Sequence, residues 1–327
     1  TLKQAQDMGS YHLEELLGKG GMGEVWRASH RLFARTAAVK LIRPELMGVS
    51  TVQDSDALIR RFHREAEATA VLESPHTIRL FDFGVTEDRT FYYVMELLTG
   101  CDLESLVRRA GPVPAERVIF LLRQVCHSLA EAHAQGLVHR DITPRNIYVC
   151  RMGLDYDFVK VLDFGLVARS KAVHQTIAGH DRSTTGTPAF MAPEVILEEA
   201  VDARADIYAL GCVAYYLLTG ELVFDGDTPM KMFMQHVQAE PIPPSLRSEL
   251  PIPTALETLV LACLAKAPGA RPQSIAELAQ QLDAIVLKDR WSNDAARRWW
   301  STHLVDLAVP EPYRPAAPPS DVLSPAR

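Results

Sequence analysis

A chain of 327 residues with 47% apolar content has enough hydrocarbon for a sizeable core, and its length fits one large domain or two lobes with a tail. A net charge of -7 and a pI near 5.9 argue against a nucleic-acid binder working through a basic surface. Cys101, Cys126, Cys150, Cys212 and Cys263 are odd in number and lack metal-ligand spacing, so reduced core thiols in a cytoplasmic compartment are expected instead of a disulfide framework.

No apolar run approaches the roughly 18 residues that a membrane-spanning helix needs. The chain opens at Thr1 and not at methionine, which reads as a segment of a longer protein, with a membrane anchor outside it left open. Tyr11 to Leu17 alternates as a strand, and glycines follow at once in Gly18-Lys19-Gly20-Gly21-Met22-Gly23-Glu24-Val25. A dinucleotide-binding reading of this pattern would need a helix next and an acidic residue roughly 20 positions on. Val25 to Ala28 instead continues as strand, and position 40 is lysine. The glycines therefore turn between two antiparallel strands, where the bare backbone of Gly18, Gly20 and Gly23 can close over phosphates.

Thr36 to Ile42 is a short apolar strand with Lys40 inside it. Taken alone, such a lysine is more often an edge charge snorkelling to water, but its place after the glycine turn reverses that preference. Ala57 to Leu72 is rich in helix formers and carries Glu65 and Glu67. Ile78 to Phe83 and Phe91 to Leu97 read as strands around a turn at Glu87-Asp88-Arg89. Asp102 can N-cap the helical stretch Leu103 to Arg109. Pro114 opens the next helix, on which Val118, Leu121, Leu122, Val125, Leu129 and Ala132 repeat at helical spacing until Gly136 stops it. His127 and His133 lie on this helix without any ligand pattern and read as structural.

His139-Arg140-Asp141-Ile142-Thr143-Pro144-Arg145-Asn146 comes next, followed by Asp163-Phe164-Gly165, with Ile147-Tyr148 and Val161-Leu162 as short strands between. Asp141 could accept a proton from a hydroxyl, while Asn146 and Asp163 offer hard oxygen ligands to Mg²⁺. The two motifs resemble the catalytic loop and metal-binding motif of the eukaryotic-type (Hanks-type) protein kinases, and the overall texture is most similar to the serine/threonine kinases of bacteria.

The resemblance implies an α+β, bilobal protein-kinase fold over residues 11–287, after a flank at 1–10. An antiparallel β-sheet N-lobe would span about 11–98, a mainly helical C-lobe about 99–287, and ATP would lie in the cleft between them. It implies that Lys40 holds the α- and β-phosphates and pairs with Glu65, with Glu67 as rival. Backbone groups of Glu96 and Leu98, in Met95-Glu96-Leu97-Leu98, would hold an adenine edge lined by Leu17, Val25, Ala38 and Tyr148. Asp102 would meet ribose hydroxyls, a role that stands beside its capping role. Asp141 would be the base, and Asn146 and Asp163 would hold Mg²⁺, or Mn²⁺ in its place.

One departure stands out: the lysine that most serine/threonine kinases carry two residues after the catalytic aspartate is Thr143 here. Arg145, where many tyrosine kinases place an arginine, is expected to offset the developing charge. Leu166 to Phe190 has the length of an activation segment and is rich in hydroxyls, including Ser170, Thr176, Ser183, Thr184, Thr185 and Thr187. The resemblance assigns Thr187 to the serine/threonine class, where it bonds the catalytic aspartate. It also makes Arg140 the partner of a segment phosphorylated at Ser183, Thr184 or Thr185. A polar loop that is never phosphorylated is the alternative.

Asp206 opens a stretch apolar on all sides through Leu218, too short to span a membrane and so a buried helix. By resemblance Asp206 pins the catalytic loop, and Arg271 forms a buried pair with Glu194 of Ala192-Pro193-Glu194. Pro241 to Pro244 is a loop, Leu256 to Leu264 another helix, and the helical signal fades near Leu287. The remainder, 288–327, reads as a short helix with Trp299-Trp300 and then a proline-rich tail. Two adjacent tryptophans are rarely left in water, so this helix should pack on the domain or on a partner.

The function expected is an ATP- and Mg²⁺-dependent serine/threonine kinase acting on a protein substrate. Regulation by autophosphorylation would follow, for which self-association is one route, and no nucleic-acid partner is expected. A pseudokinase is favoured only by Thr143, and tyrosine or dual specificity only by Arg145. A small-molecule phosphotransferase would lack the long activation segment.

Overall fold

Period-two alternation in the first part of the chain becomes sheet. The computed structural model describes residues 7–20, 23–42, 63–64, 66–86, 90–164 and 188–308, which divide between two units. The first unit takes its described residues from 7–42 and 80–97. Its strands are β1 (Asp7–Met8), β2 (Tyr11–Gly20), β3 (Gly23–His30), β4 (Thr36–Ile42), β5 (Leu80–Val85) and β6 (Phe91–Met95), in the order β1-β2-β3-β4-β6-β5. Every pairing is antiparallel. Ala37, Val39 and Leu41 of β4 join Leu13, Ala28 and Val94 in a small core, which by alternation turns Ala38 and Lys40 to the other face.

The expected strand from Ile78 is found to start at Leu80, because the Ile78 N–H is already taken by the Val161 carbonyl at 2.9 Å in the second unit. The strand expected through Leu97 stops at Met95. Of the expected helix 57–72, residues 63–64 and 66–70 are helical, and Val71 is in a turn.

The second unit holds a three-stranded sheet, β7 (Gly100–Asp102), β8 (Ile147–Met152) and β9 (Asp155–Val161), in that order. β7 was not evident in the sequence. Around it lie α1 (Leu103–Ala110), α2 (Ala115–Ala134), α3 (Pro193–Ile196), α4 (Arg204–Thr219), α5 (Pro229–Gln238), α6 (Thr254–Cys263), α7 (Ile275–Ala284), α8 (Asn293–His303) and α9 (Val305–Ala308). Pro114 is the N-cap of α2 and not its first helical residue, while Gly136, at φ 75°, supplies the left-handed turn after it. α4 is buried on nearly every side, as its uniformly apolar sequence requires, and contributes to a core shared with α2 and α6. Among the described residues, no helix is long and apolar enough to cross a membrane.

Candidate active site

The loop between α2 and β8 is suspended from one carboxylate. Asp206, at the start of α4 and 1% exposed, accepts the backbone N–H of Arg140 on Oδ1 and that of His139 on Oδ2, both at 2.8 Å. His133 Nε2 donates to the same Oδ2 at 2.8 Å, so the histidine read as structural supports the loop. His139 is buried and holds the loop from the other side. Its Nε2 donates to Leu162 O at 2.8 Å, and its Nδ1 accepts the Asp141 N–H at 3.2 Å, which selects the neutral Nε2–H form. Phe164 packs on the His139 ring at 4.6 Å. The loop motif and the Asp163-Phe164 motif are thus joined through a single imidazole.

Arg140 and Asp163 both have left-handed backbones, at φ 64° and 57°. Non-glycine residues hold that conformation only where their surroundings impose it, and such positions cluster at functional sites. Asn146 closes the short turn Pro144–Asn146, and its Nδ2 donates to Asp141 O at 2.8 Å and Asp141 Oδ2 at 2.9 Å. With both amide hydrogens so used, the Asn146 Oδ1 accepts no hydrogen bond among the described residues. The Asn146 amide oxygen and the Asp163 carboxylate, at the two ends of one hairpin, are hard oxygen donors of the kind that Mg²⁺ or Mn²⁺ takes. The donor chemistry fits such an ion.

Thr143, buried at the head of the Pro144–Asn146 turn, carries no charge into the site. Arg145 is occupied elsewhere: its Nε and Nη2 bond the Glu104 carboxylate at 2.7 and 3.2 Å, and this hydrogen bonding holds the guanidinium pKa above its ordinary value. Glu104, in the first turn of α1, was missed by the sequence reading; a surface ion pair leaves no sequence signature. Asp102 caps α1 through the Ser105 N–H at 2.8 Å, so the capping alternative is realised, and its other oxygen accepts Ser105 Oγ. The Tyr148 hydroxyl donates to Gly100 O at 2.7 Å, and burial raises its pKa.

In the other unit, register sets Gly18, Val25, Lys40 and Tyr93 in one row across β2, β3, β4 and β6. Val25, Lys40 and, two residues along, Ala38 therefore share the face turned away from the small core. A Cβ on Gly23, at φ 147°, would run into the Leu41 carbonyl, whereas a Cβ on Gly18 or Gly20 would meet nothing among the described residues. Gly23 is thus required by the neighbouring strand, and Gly18 and Gly20 leave open space. Leu17 is half exposed on β2; Glu96 follows β6, and Leu98 opens the second stretch of the second unit.

Glu194 and Arg271 form a two-armed pair, Nη1 and Nη2 each 2.7 Å from a carboxylate oxygen, with side chains 3% and 0% exposed. Arg140, Asp141, Ile142 and Thr143 line a pocket together with Phe190, Met191, Ala192 and Val195. Glu65, Ser183, Thr184, Thr185 and Thr187, along with Gly165, lie outside the described residues.

Comparison with known proteins identifies the family to which this fold belongs. Residues 11–282 match the protein kinase domain family. The chain is 36% identical over 318 residues to the serine/threonine-protein kinase pkn3 of Myxococcus xanthus, covering 95% of this chain and 56% of that protein. It is 38% identical over 278 residues to the serine/threonine-protein kinase PknB of Mycobacterium leprae, covering 83% of this chain and 42% of that one. It spans about half the length of these curated relatives. Among solved structures it resembles the PknI kinase domain of Mycobacterium tuberculosis, with TM-score 0.66 and 26% identity over 86% of this chain and 98% of that one. A second likeness is to Rad53 in complex with AMP-PNP, with TM-score 0.67 and 26% identity over 83% and 64% of the two chains. An α+β fold with an antiparallel N-lobe and a helical C-lobe, the ordered motifs and these matches together make the chain a member of the protein kinase family.

Proposed function

We propose that this chain is the catalytic domain, about residues 11–287, of an ATP- and Mg²⁺-dependent serine/threonine kinase that transfers the γ-phosphoryl group to a protein hydroxyl. The observation that carries the reading is the Asn146 amide donating to Asp141 in a loop hung on Asp206. That arrangement supports reading the Asp141 carboxylate as a proton acceptor beside an oriented oxygen donor. Asp141 orients the incoming hydroxyl and takes its proton. Asn146 and Asp163 would hold Mg²⁺, which when bound neutralises phosphate charge.

Lys40, on the open face of β4, holds the phosphates, with Glu65 as its partner. Gly18, Gly20 and Gly23 cover them, and Leu17, Val25, Ala38 and Tyr148 line the base, whose edge meets the backbone of Glu96 and Leu98. Asp102 can serve the ribose through the oxygen that Ser105 Oγ reaches. Arg145 offsets transition-state charge after exchanging Glu104 for the phosphoryl group. Thr187 supports a serine or threonine acceptor, and Arg140 receives phosphate placed on Ser183, Thr184 or Thr185, by self-association if the transfer runs between copies. Five buried free thiols fit a reducing, cytoplasmic location.

The test is metal-dependent autophosphorylation and transfer to a serine/threonine peptide, with modified residues mapped by mass spectrometry. Asp141→Asn and Asp163→Asn should each lower turnover at least ~100-fold. Retained metal-dependent turnover in Asp163→Asn would sink the assignment.

A further inference from the structure

Asp157 lies near the tip of the β8–β9 hairpin, fully buried and at φ 53°. Four N–H groups converge on its carboxylate: Arg117 Nε and Nη2 at 2.8 and 2.7 Å, Trp291 Nε1 at 2.8 Å and Trp300 Nε1 at 2.7 Å. The Arg117 guanidinium lies 3.7 Å from the centre of the Trp299 ring and 5.2 Å from that of Trp291. Burying tryptophans needs only apolar surface. Here their N–H groups complete a buried ion pair, a directional arrangement that fixes where the hairpin tip must sit.

β9 is an edge strand, and its outward backbone groups are met in turn from tip to base. The Asn293 side chain takes the Leu154 carbonyl and the Tyr156 N–H at 3.1 and 2.7 Å. The Gln124 amide takes the Asp157 carbonyl and the Val159 N–H at 2.9 and 3.0 Å. His76 and Ile78 backbone groups take Val161 at 2.7 and 2.9 Å, where the ladder partner Ile147 and the Leu162 N–H on Asn146 O close the base. The first of these three fasteners comes from beyond residue 287. Asn146 immediately precedes β8 and Asp163 follows β9, so the hairpin is the covalent span between the two oxygen donors.

We propose that Trp291–Trp300 is a positioning strap: by locking Asp157 and the outer edge of β9, it sets the spacing of Asn146 and Asp163. This rests on the reading of those two residues as metal donors. Helix α8 is on this account a working part of the catalytic unit, and Asp157, Trp291 and Trp300 are positioning residues.

The test uses the full chain with Trp291→Phe and Trp300→Phe, singly and together, which keep the rings and remove only the N–H donors. Three readouts are taken: thermal unfolding, hydrogen exchange of peptides spanning 155–161, and binding of a fluorescent ATP analogue as Mg²⁺ is titrated. The folded double variant should exchange about tenfold faster at Tyr156 and Val159. Its Mg²⁺ half-saturation should rise about three- to tenfold, with metal-free nucleotide binding unchanged. A folded variant with the wild-type Mg²⁺ half-saturation would overturn the proposal even if its melting temperature fell, because a purely structural dock predicts that result. If the double variant does not fold, the single variants decide by the same criterion. Nucleotide binding by the wild-type chain that is indifferent to Mg²⁺ and to Asp163→Asn would overturn the metal reading itself, and is recognisable because it appears without any tryptophan substitution.

Discussion

Asp206 serves three hydrogen-bond donors with two oxygens, and no neutral side chain of its size can do the same. Asp206→Asn leaves one accepting oxygen, so at least one N–H at the head of the 139–146 loop loses its acceptor in a buried setting. The expected cost is about 1–3 kcal/mol by chemical denaturation, with a fall in turnover as the left-handed Arg140 is released. Equal stability and equal turnover would remove Asp206 from its role. The Glu194–Arg271 pair is buried on both sides, so deleting one partner strands the other charge. Glu194→Ala should destabilise by roughly 3–5 kcal/mol, whereas breaking the exposed Arg145–Glu104 pair should cost ~1 kcal/mol or less.

His236 is fully buried against Tyr208, whose hydroxyl meets its Nδ1 at 2.8 Å, and Phe224, with Lys266 nearby. Burial, reinforced by that lysine, lowers its pKa from 6.5 to about 3. Between those two values the unfolded chain binds a proton that the folded chain refuses, so stability is full above pH 6.5 and is lost as pH falls towards 3. The slope from this one residue approaches ~1.4 kcal/mol per pH unit. His236→Asn should flatten the stability profile below pH 6.5 relative to wild type; superimposable slopes would show that the imidazole is protonated in the fold.

At the scale of elements, what could be read from the chain was what local pattern encodes. The short apolar run of β4, the helical stripe of α2 and the all-round apolar α4 were legible because each element's burial follows from its own local composition and spacing. The spacing of Asp141, Asn146 and Asp163 was legible for a related reason: a short hairpin brings its ends together wherever it sits. α5 was overlooked although Thr228 and Pro229 supply its N-cap and first turn, a signal that was present and not used. The Asp157 cluster could not be read, since its members lie 40, 134 and 143 positions apart in sequence. Only the conspicuous Trp299-Trp300 pair hinted that something would cover it. Trp300 is fully buried, and Trp300→Ala should cost about 3–5 kcal/mol in denaturant unfolding. A loss below ~1 kcal/mol would mean that α8 docks only weakly.

The whole molecule is unevenly built. One unit closes a single continuous core running from α1 through α2, α4 and α6 to Trp300 and Leu304, with buried ion pairs at Arg117–Asp157 and Arg271–Glu194. The other rests on a six-stranded sheet whose shared core, among the described residues, is Met8, Tyr11, Leu13, Ala28, Ala37, Val39, Leu41 and Val94, with Trp26, Phe81 and Tyr92 packed against it. Hydrophobic stabilisation scales with apolar area buried, and small cores are marginal by themselves. The sheet unit should therefore open first, and equilibrium unfolding should depart from two-state behaviour. Native-state hydrogen exchange should find β2, β3 and β4 opening with a free energy at least ~2 kcal/mol below that of α4. If Lys40 and the glycine strands hold nucleotide as proposed, addition of ATP analogue with Mg²⁺ should narrow the gap, since a ligand stabilises the unit that binds it. Equal opening energies in β4 and α4, with or without nucleotide, would mean that the two units unfold as one body.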